Sequence, residues 1–378
     1  MQSCKSRILA MKNIPYEIFT LSLLAALLCF LNCSKVHAGV IHSTAATSIA
    51  VTFAGTYTPS LTYAKGDVVK YGNCTYIALG AIATNASPSA RPSAWTVFGV
   101  LPENNIFGSG SNTFSLNFVT IGNPGNTNDT TGYGKVAYTY QMGTYTISQN
   151  QVNAAASNGL LGMPTGDWIG DQPATSITWY QAAAFVNWLN TNQGYTPAYN
   201  LTYSNGSYSM ALWPTNQCWT NGGTNLFRNA NCVYFLPSEN EWYKAAYYDP
   251  NKNSGSGGYW TYPEAITIPI AVISGSAAGT AVFTGNGIAP SFPASVYQAG
   301  GLSAYGTMGQ GGNVWQWGET SVTGINTDPI NKRVARGGNW GSSARSLLNT
   351  DIGNSRYGLG YPNSTNSYLG FRVARILP

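Results

Sequence analysis

Side chains capable of catalysis are scarce in this chain, and histidine is the scarcest of them. The two histidines, His37 and His42, both lie near the N-terminus. The body of the chain therefore cannot use Ser-His-Asp or Cys-His catalysis, or hold zinc or iron through histidine. Any proton transfer there must use carboxylates, tyrosine or lysine. The available carboxylates show no recognisable acid–base spacing; they are Asp167, Asp171, Glu319, Asp328 and Asp351.

Three cysteines follow the N-terminal segment, and none has the spacing of a metal finger. Cys218 and Cys232 flank a loop rich in glycine and asparagine, which makes them the natural disulfide pair. Closing such a loop contributes about 3 kcal/mol in the chain-entropy model, and an exported protein keeps the bond. Cys74 is then left over, in a small module.

A polar stretch, residues 341–368, lies between the stiff segments RGGNW and LGFR. It is a catalytic loop, a binding surface or an ordinary polar loop. Its Tyr, Ser, Gly and Asn content favours binding, since Tyr gives rigid contact area while the others give adaptable hydrogen bonds. Trp340 is expected to be buried, and Tyr357, Tyr361, Tyr368 and Arg356 to anchor a ligand. The predicted ligand-binding residues are Asn339, Arg345, Asn349, Asn354, Arg356, Tyr357, Tyr361, Asn363, Asn366 and Tyr368.

Composition favours an exported protein. Charged residues make up 8% of the chain, against roughly 25% in ordinary soluble proteins. The apolar run IFTLSLLAALLCFLN, followed by SKVHAGV, predicts a signal peptide, residues 1–38, that is cleaved after Ala38. Cleavage removes four of 18 basic and one of 13 acidic residues, so the net charge falls from +5 to +2. We expect a secreted, periplasmic or cell-surface protein that has no transmembrane helix and binds no nucleic acid.

The remaining chain reads as two modules. A linker, residues 39–52, precedes a small β module, residues 53–99, and a second linker, residues 100–111, precedes a larger α+β domain, residues 112–378. The small module contains a hairpin signal, DVVKY and CTYIAL around a Gly-Asn turn. The module resembles chitin-binding-type carbohydrate modules, whose pattern is matched by Tyr63, Gly66, Asp67, Val69, Tyr71, Tyr76 and Trp95. Sugar binding and a spacer role both stay open. In the larger domain, SITWYQAAAFVNWLNTNQG predicts a helix, and Ser238 with Glu241 predicts a capping box that starts another.

Five landmarks occur in order along the larger domain: ITWYQAAAFVNWL, YFLPSENEWYKAAYY, YGTMGQGGNVWQWGET, RVARGGNW and LGFRVAR. Together they resemble the formylglycine-generating enzyme (sulfatase-modifying factor) family over about residues 112–378. The resemblance implies a decorated C-type-lectin-like fold, in which irregular structure surrounds a small twisted antiparallel sheet and two packing helices.

The resemblance also implies that the family's chemistry is missing here. Members oxidise a substrate cysteine with two cysteines and copper, and Ser342 and Leu347 stand at the matching positions. Neither forms a thiolate or binds copper. A family calcium site is weakened: its ligands map to Gly312, Val314 and Gln316, with a neutral Gln for Glu and Gly309 at the upstream position. Calcium stays an open alternative to simple hydrogen bonding by Gln316.

Two functions follow from these observations. The first is a non-catalytic module that binds a glycan or a protein at a cell surface, because the same fold occurs in secreted or phage variable proteins with a diversified C-terminal stretch. The second is an enzyme of the superfamily with altered chemistry. The absence of histidine and of the paired cysteines favours binding.

Overall fold

The computed structural model describes residues 39–41, 49–71, 74–88, 90–91, 93–100, 105–351 and 360–376. The predicted signal peptide, residues 1–38, lies outside these ranges. The chain divides into two compact units, one ending at Asn104 and one covering Asn105–Ile376. In the described ranges, no helix is long and apolar enough to span a bilayer.

The first unit is a single five-stranded sheet in the order β1-β2-β3-β4-β5. The strands are β1 (Gly39–Ile41), β2 (Ile49–Thr56), β3 (Asp67–Tyr71), β4 (Cys74–Ala78) and β5 (Trp95–Val100). The predicted hairpin is confirmed, since β3 and β4 pair antiparallel. The prediction of a linker over residues 39–52 is wrong, because β1 pairs with β2, and β2 runs parallel to β3.

Aromatic side chains form the core of this first unit. Tyr63 and Trp95 are buried, with ring centroids 5.5 Å apart, and Tyr57 stacks on Tyr63. The Trp95 indole N–H donates to the Ala86 carbonyl at 2.8 Å. Of the four aromatic residues in the carbohydrate-module pattern, Tyr63 and Trp95 therefore serve the core, and Tyr71 and Tyr76 are half-buried against it.

The larger unit begins seven residues before the predicted boundary at residue 112. Strand β6 (Ile106–Phe107) lies inside the predicted linker and pairs with β7 (Phe114–Ser115), which lies just after it. Phe107 is fully buried against Phe114 and Tyr234. Removing one large aromatic ring from water stabilises the fold by about 1.5–3 kcal/mol, which explains why this segment is folded rather than a linker.

Three helices of the larger unit begin at capping boxes. They are α1 (Gln149–Ser157), α2 (Trp179–Asn192) and α3 (Glu239–Tyr247), with N-caps Ser148, Thr178 and Ser238. In each, the N-cap side chain accepts from the third backbone N–H of the helix, and the third side chain accepts from the N-cap N–H. Both predicted helices are confirmed. A further short helical segment is α4 (Lys252–Gly255), and 3-10 turns cover Val296–Gln298 and Ala344–Leu347.

Short strands make up the rest of the larger unit. They are β8 (Phe118–Ile121), β9 (Tyr140–Gly143), β10 (Asn200–Ser204), β11 (Ser207–Ala211), β12 (Cys218–Trp219), β13 (Asn225–Asn229), β14 (Tyr234–Phe235), β15 (Tyr248–Asp249), β16 (Gly258–Tyr259), β17 (Ile270–Val272), β18 (Thr280–Val282), β19 (Trp315–Ser321), β20 (Arg333–Arg336), β21 (Leu369–Phe371) and β22 (Ala374–Arg375). One sheet has the order β14-β22-β9-β8 and another has the order β20-β19-β21, and the other strands of this unit form two-stranded pairs.

The three-stranded sheet positions the polar stretch. Its central strand β19 pairs antiparallel with β20 and parallel with β21. The chain leaves β20 at Arg336 and returns to the opposite side of β19 at Leu369. Trp317 and Phe371 pack with α2 in the main hydrophobic core. The first stiff segment thus begins at the last residue of one outer strand, β20, and the second contains the other outer strand, β21, so the stretch between them must cross the end of that sheet.

Candidate functional site

Buried arginines hold both ends of the polar stretch. The Arg336 guanidinium donates to the carbonyls of Asn349 and Asp351 at 2.8 and 2.9 Å, and to Glu239 Oε1 at 2.6 Å. Arg372 donates to the carbonyls of Gly143, Thr144 and Met308 and to Gln316 Oε1. Each planar guanidinium satisfies several backbone carbonyls at once, which fixes the path of the chain on either side of the stretch.

The two positions of the family's cysteines have scaffold environments. The Ser342 hydroxyl donates to Asn339 Oδ1 at 2.6 Å and accepts from the Asn339 N–H, so it closes a local turn. Leu347 is fully buried in a cluster with Tyr262 and Phe283. Its carbonyl accepts from the Tyr247 hydroxyl at 3.1 Å. A leucine held in this way contributes packing and offers no nucleophile.

The predicted ligand-binding residues divide into exposed and structural sets. Arg345, Tyr361 and Asn363 are exposed, with 53% of Tyr361 accessible. Asn349 instead donates to Asp129 Oδ2 at 2.9 Å, and Tyr368 packs against the main core. Two further predicted residues, Asn339 and Asn366, are half-buried at the edges of the stretch. Asn354, Arg356 and Tyr357 lie outside the described residues.

Trp168, which the sequence analysis did not select, joins this surface. Its indole N–H donates to the Ser367 carbonyl at 3.1 Å. Its ring lies perpendicular to that of Trp340, with centroids 5.4 Å apart. The expectation that Trp340 is a buried core residue is wrong, because both tryptophans are only half-buried. The one sequence signal is the isolated tryptophan in GDWIGD, which fits neither a helical nor a strand pattern.

Two hydrogen bonds join the polar stretch to the beginning of α2. The backbone N–H of Ser176 donates to the Asn366 carbonyl at 3.0 Å, and that of Tyr180 to the Pro362 carbonyl at 3.3 Å. Asp167, beside Trp168, accepts from the hydroxyls of Thr175 and Ser176. We define the aromatic–amide face as Trp168, Trp340, Tyr361, Asn363 and Asn366.

At the possible calcium site, the side-chain oxygen of Gln316 is already engaged by the protein. Gln316 Oε1 accepts from Trp242 Nε1 at 2.9 Å and from Arg372 Nε at 3.1 Å, while its amide donates to the Gly309 carbonyl at 2.6 Å. Both lone-pair directions of that oxygen are used, and a guanidinium lies beside it. At Gly312, a Cβ would lie 2.2 Å from the Val282 carbonyl, so this glycine serves close packing. The described ranges contain no group of three His, Cys, Asp or Glu side chains that could hold a metal.

The predicted disulfide does not form in the structure, where Cys218 and Cys232 are both free and buried. In the β12–β13 pair, Cys218 lies opposite Asn229, so Cys232 falls three residues beyond the paired position, after a turn. The Cys218 thiol donates to the Thr215 carbonyl at 3.4 Å. Burial raises the pKa of the Cys232 thiol to about 12, which keeps it protonated and inert.

Glu319, one of the candidate carboxylates, belongs to a buried ion cluster. Arg228 bridges Glu319 and Glu241, with N–O distances of 2.7 and 2.8 Å, and all three side chains are buried. Glu319 also accepts from the Tyr199 hydroxyl at 2.8 Å and from the Asn225 amide at 2.5 Å. Its oxygens are fully used by the protein, so Glu319 holds the fold together and is not placed for acid–base catalysis.

Comparisons with known proteins agree with the landmarks. A family model described as the sulfatase-modifying factor enzyme 1-like domain matches residues 126–377. No curated protein matches the sequence.

Similar solved structures include three proteins. Treponema denticola variable protein 1 is 20% identical, with a TM-score of 0.46, over 72% of this chain and 99% of that one. CarF is 18% identical, with a TM-score of 0.43, over 70% and 99%. PvdO from Pseudomonas aeruginosa is 15% identical, with a TM-score of 0.42, over 72% and 98%. Since the family model covers more than half of the chain, this chain belongs to the sulfatase-modifying factor enzyme 1-like family, and its larger unit has the C-type-lectin-like α+β fold expected from the landmarks.

Proposed function

We propose that this chain is an exported, non-catalytic member of its family that binds a ligand through the aromatic–amide face. Export rests on the leader-like residues 1–38. The ligand is a glycan or a protein at a cell surface, and the chemistry of the face favours a neutral glycan. The proposed binding function requires neither copper nor calcium.

The environment of Leu347 carries the non-catalytic part of the proposal. At the position of a family cysteine, its side chain is fully buried and its carbonyl is bound by Tyr247. Ser342, at the other position, is hydrogen-bonded within its own turn. Oxidation of a cysteine by paired thiols needs two accessible sulfur atoms, and neither of these side chains supplies one.

The aromatic–amide face supports the binding part. Two half-buried indole rings at right angles offer apolar surface, and the Trp168 indole is hydrogen-bonded to Ser367, the residue after Asn366. Asn366 Oδ1 accepts from the Tyr368 N–H, and its amide group can donate to a ligand, as can that of the exposed Asn363. Binding sites combine such apolar surface with a few placed polar groups. Sugars present both apolar C–H faces and hydroxyl groups, whereas a strongly charged ligand would find few opposite charges on a chain with 8% charged residues.

The tryptophan pair gives a test of binding. Trp168→Ala is expected to weaken binding about 5- to 150-fold, which corresponds to the roughly 1–3 kcal/mol lost on truncating an aromatic hot spot. Trp260→Ala is the matched control, because Trp260 is also half-buried and its indole donates one hydrogen bond, to Asp249, at 3.1 Å. Binding of the purified protein to arrayed glycans, followed by titration of the best glycan, measures the effect. Equal losses in both variants, or no glycan bound by the wild type, would contradict glycan recognition by this face.

The missing thiols give a test of catalysis. The protein is expected to form no formylglycine in a sulfatase-type cysteine peptide, with or without added copper, as measured by peptide mass spectrometry. The double variant Ser342→Cys with Leu347→Cys is expected to remain inactive, because a sulfur at position 347 would be enclosed by the packing of Tyr262 and Phe283. A peptide mass shift to formylglycine in the wild type would show that the protein is an enzyme.

A further inference from the structure

A narrow cleft opens beside the beginning of α1 in the larger unit, and it shares no residue with the aromatic–amide face. Its deepest residues are apolar and buried: Ile147 and Val373 are 2% and 1% exposed. The exposed Ser115 and Asn117 and the half-buried Phe118 line its outer part. The cavity has a volume of about 30 Å³, roughly twice the minimum that holds one water molecule. It therefore admits a substituent of a few heavy atoms and excludes a complete sugar ring.

Two buried polar side chains in this cleft have unused hydrogen-bonding capacity. Thr146 is 3% exposed, and its hydroxyl makes no hydrogen bond to any other described residue, although solvent still reaches it. Gln151 is 8% exposed; its Oε1 accepts from the Ser148 N–H at 2.9 Å, and its amide donates to the Ser115 carbonyl at 3.2 Å. One N–H of that amide is left over. Thr146 and Gln151 can therefore both donate to an oxygen atom of a ligand.

A pair of tyrosines forms the mouth of the cleft. Tyr297 is 40% exposed and Tyr145 half-buried, with ring centroids 4.8 Å apart and ring planes at 81°. The Tyr297 N–H donates to the Ser295 hydroxyl at 3.3 Å, and the Val296 N–H donates to the Asp171 carbonyl at 2.8 Å, so the backbone that carries the Tyr297 ring is fixed. A tyrosine held in this way offers an apolar face to the C–H groups of a sugar and a hydroxyl to its O–H groups.

Charge restricts what enters the cleft. None of the residues that line it carries a charge. A carboxylate or an ammonium group would leave water there without gaining a counter-charge, which is strongly unfavourable. The entering substituent is therefore neutral and small, with an apolar part for the floor and an oxygen acceptor for the two donors. An acetamido group has these properties, since it joins a methyl group to an amide carbonyl.

We propose that this cleft binds the acetamido group of an N-acetylated sugar whose ring stacks on Tyr297. The acetyl methyl group packs against Ile147 and Val373, and the acetamido carbonyl accepts from Thr146 or Gln151. The sugar ring stays outside because the cavity is too small to hold it. The inference concerns a second site and does not depend on ligand binding by the aromatic–amide face.

Binding of N-acetylglucosamine to the purified full chain, followed by NMR titration and saturation transfer, tests the proposal. The acetyl methyl group is expected to receive the strongest saturation, because it is the most enclosed part of the bound sugar. Glucose and glucosamine lack the acetamido group and are expected to bind at least about fivefold more weakly. A protein that binds N-acetylglucosamine no better than glucose would overturn the proposal.

Two variants locate the site. Tyr297→Ala is expected to weaken N-acetylglucosamine binding at least about fivefold, as for an aromatic anchor. Thr146→Val is expected to weaken it about two- to tenfold, since it removes one donor but keeps the shape of the side chain and breaks no hydrogen bond of the fold. Tyr203→Ala is the matched control, because Tyr203 is 38% exposed, lies 4.7 Å from the Tyr208 ring and is not part of the cleft.

Tyr203→Ala and Trp168→Ala are both expected to bind N-acetylglucosamine like the wild type, so a failure of the aromatic–amide face is distinguished from a failure of the cleft. Unchanged unfolding midpoints show that each variant is folded. If Tyr297→Ala and Thr146→Val bind like the wild type, or if Tyr203→Ala loses as much affinity as Tyr297→Ala, the sugar binds elsewhere and the assignment of this cleft is wrong.

Discussion

Arg228→Met is expected to cost the larger unit at least about 4 kcal/mol of unfolding free energy, a large part of the roughly 5–15 kcal/mol that stabilises a typical domain. Arg228 is fully buried and donates to both Glu241 and Glu319. Its guanidinium also lies 3.8 Å from the centroid of the Phe235 ring. Methionine would fill much of the volume but would leave two buried carboxylates without a counter-charge. Breaking one buried pair by removing a partner already costs about 3–5 kcal/mol.

The two carboxylates are not equivalent, and this gives the experiment its control. Burial alone would raise the pKa of Glu241, but Arg228 and several hydrogen bonds more than offset it and hold that pKa below the usual range. Burial raises the pKa of Glu319 above its usual value in spite of the same arginine. One guanidinium cannot fully stabilise two carboxylates, so Glu241 is the main partner and Glu319 the costlier charge.

Glu319→Gln is therefore expected to cost less than about 2 kcal/mol at neutral pH, since it removes a poorly stabilised charge and keeps an oxygen for the Tyr199 hydroxyl. Arg228→Lys should fall between the two variants, because a lysine keeps the charge but loses the planar fork. Urea unfolding at neutral pH measures all three. If Arg228→Met unfolds within about 1 kcal/mol of the wild type, the cluster is not what stabilises this region.

Local patterns in the sequence predicted the elements that depend on neighbouring residues. The capping box of α3 needs only Ser238 and Glu241, three positions apart, and it forms as expected. The hairpin of β3 and β4 depends on one turn, so the local sequence predicted it equally well. The family landmarks add the rest of the framework, since three of them supply β19, β20 and β21 of one sheet.

Features that depend on distant partners could not be predicted in this way. Trp168 is placed by a hydrogen bond to Ser367, 199 positions along the chain, and no local pattern reports it. Phe107 falls in the predicted linker because its partner Tyr234 is also remote in the sequence, so no local pattern reports the contact. The disulfide prediction was wrong because it considered only that the two cysteines flank one loop. The register of the β12–β13 pair places Asn229, and not Cys232, opposite Cys218.

Another buried carboxyl group, that of Glu264, has no counter-charge among the described residues. It forms none of the ion pairs seen in the described ranges, and its Oε2 has no hydrogen-bond partner there. Its Oε1 would lie 2.1 Å from a Cβ at Gly311, so only glycine at that position admits the carboxyl group. Burial raises the pKa of Glu264 to about 8. The neutral acid is therefore the form that the fold accommodates at neutral pH.

The stability of the larger unit is consequently expected to fall as the pH rises. Because the folded state holds the Glu264 proton up to about pH 8 and the unfolded state loses it near the ordinary carboxyl value of about 4.5, the folded state binds more protons between these limits. The contribution of Glu264 to stability is fully present below about pH 4.5 and is lost progressively up to about pH 8. At about 1.4 kcal/mol per pKa unit, the total loss is on the order of 5 kcal/mol.

Glu264→Gln should remove this dependence, since an amide of the same shape resembles the protonated acid at every pH. The variant is expected to match the wild type at about pH 5 and to be more stable by several kcal/mol at about pH 9, as measured by urea unfolding. Asp328→Asn is the control for general titration of carboxylates, because Asp328 is exposed, and it should leave the pH dependence of the wild type in place. If Glu264→Gln loses as much stability between the two pH values as the wild type does, Glu264 is ionised in the folded protein and a cation must lie beside it.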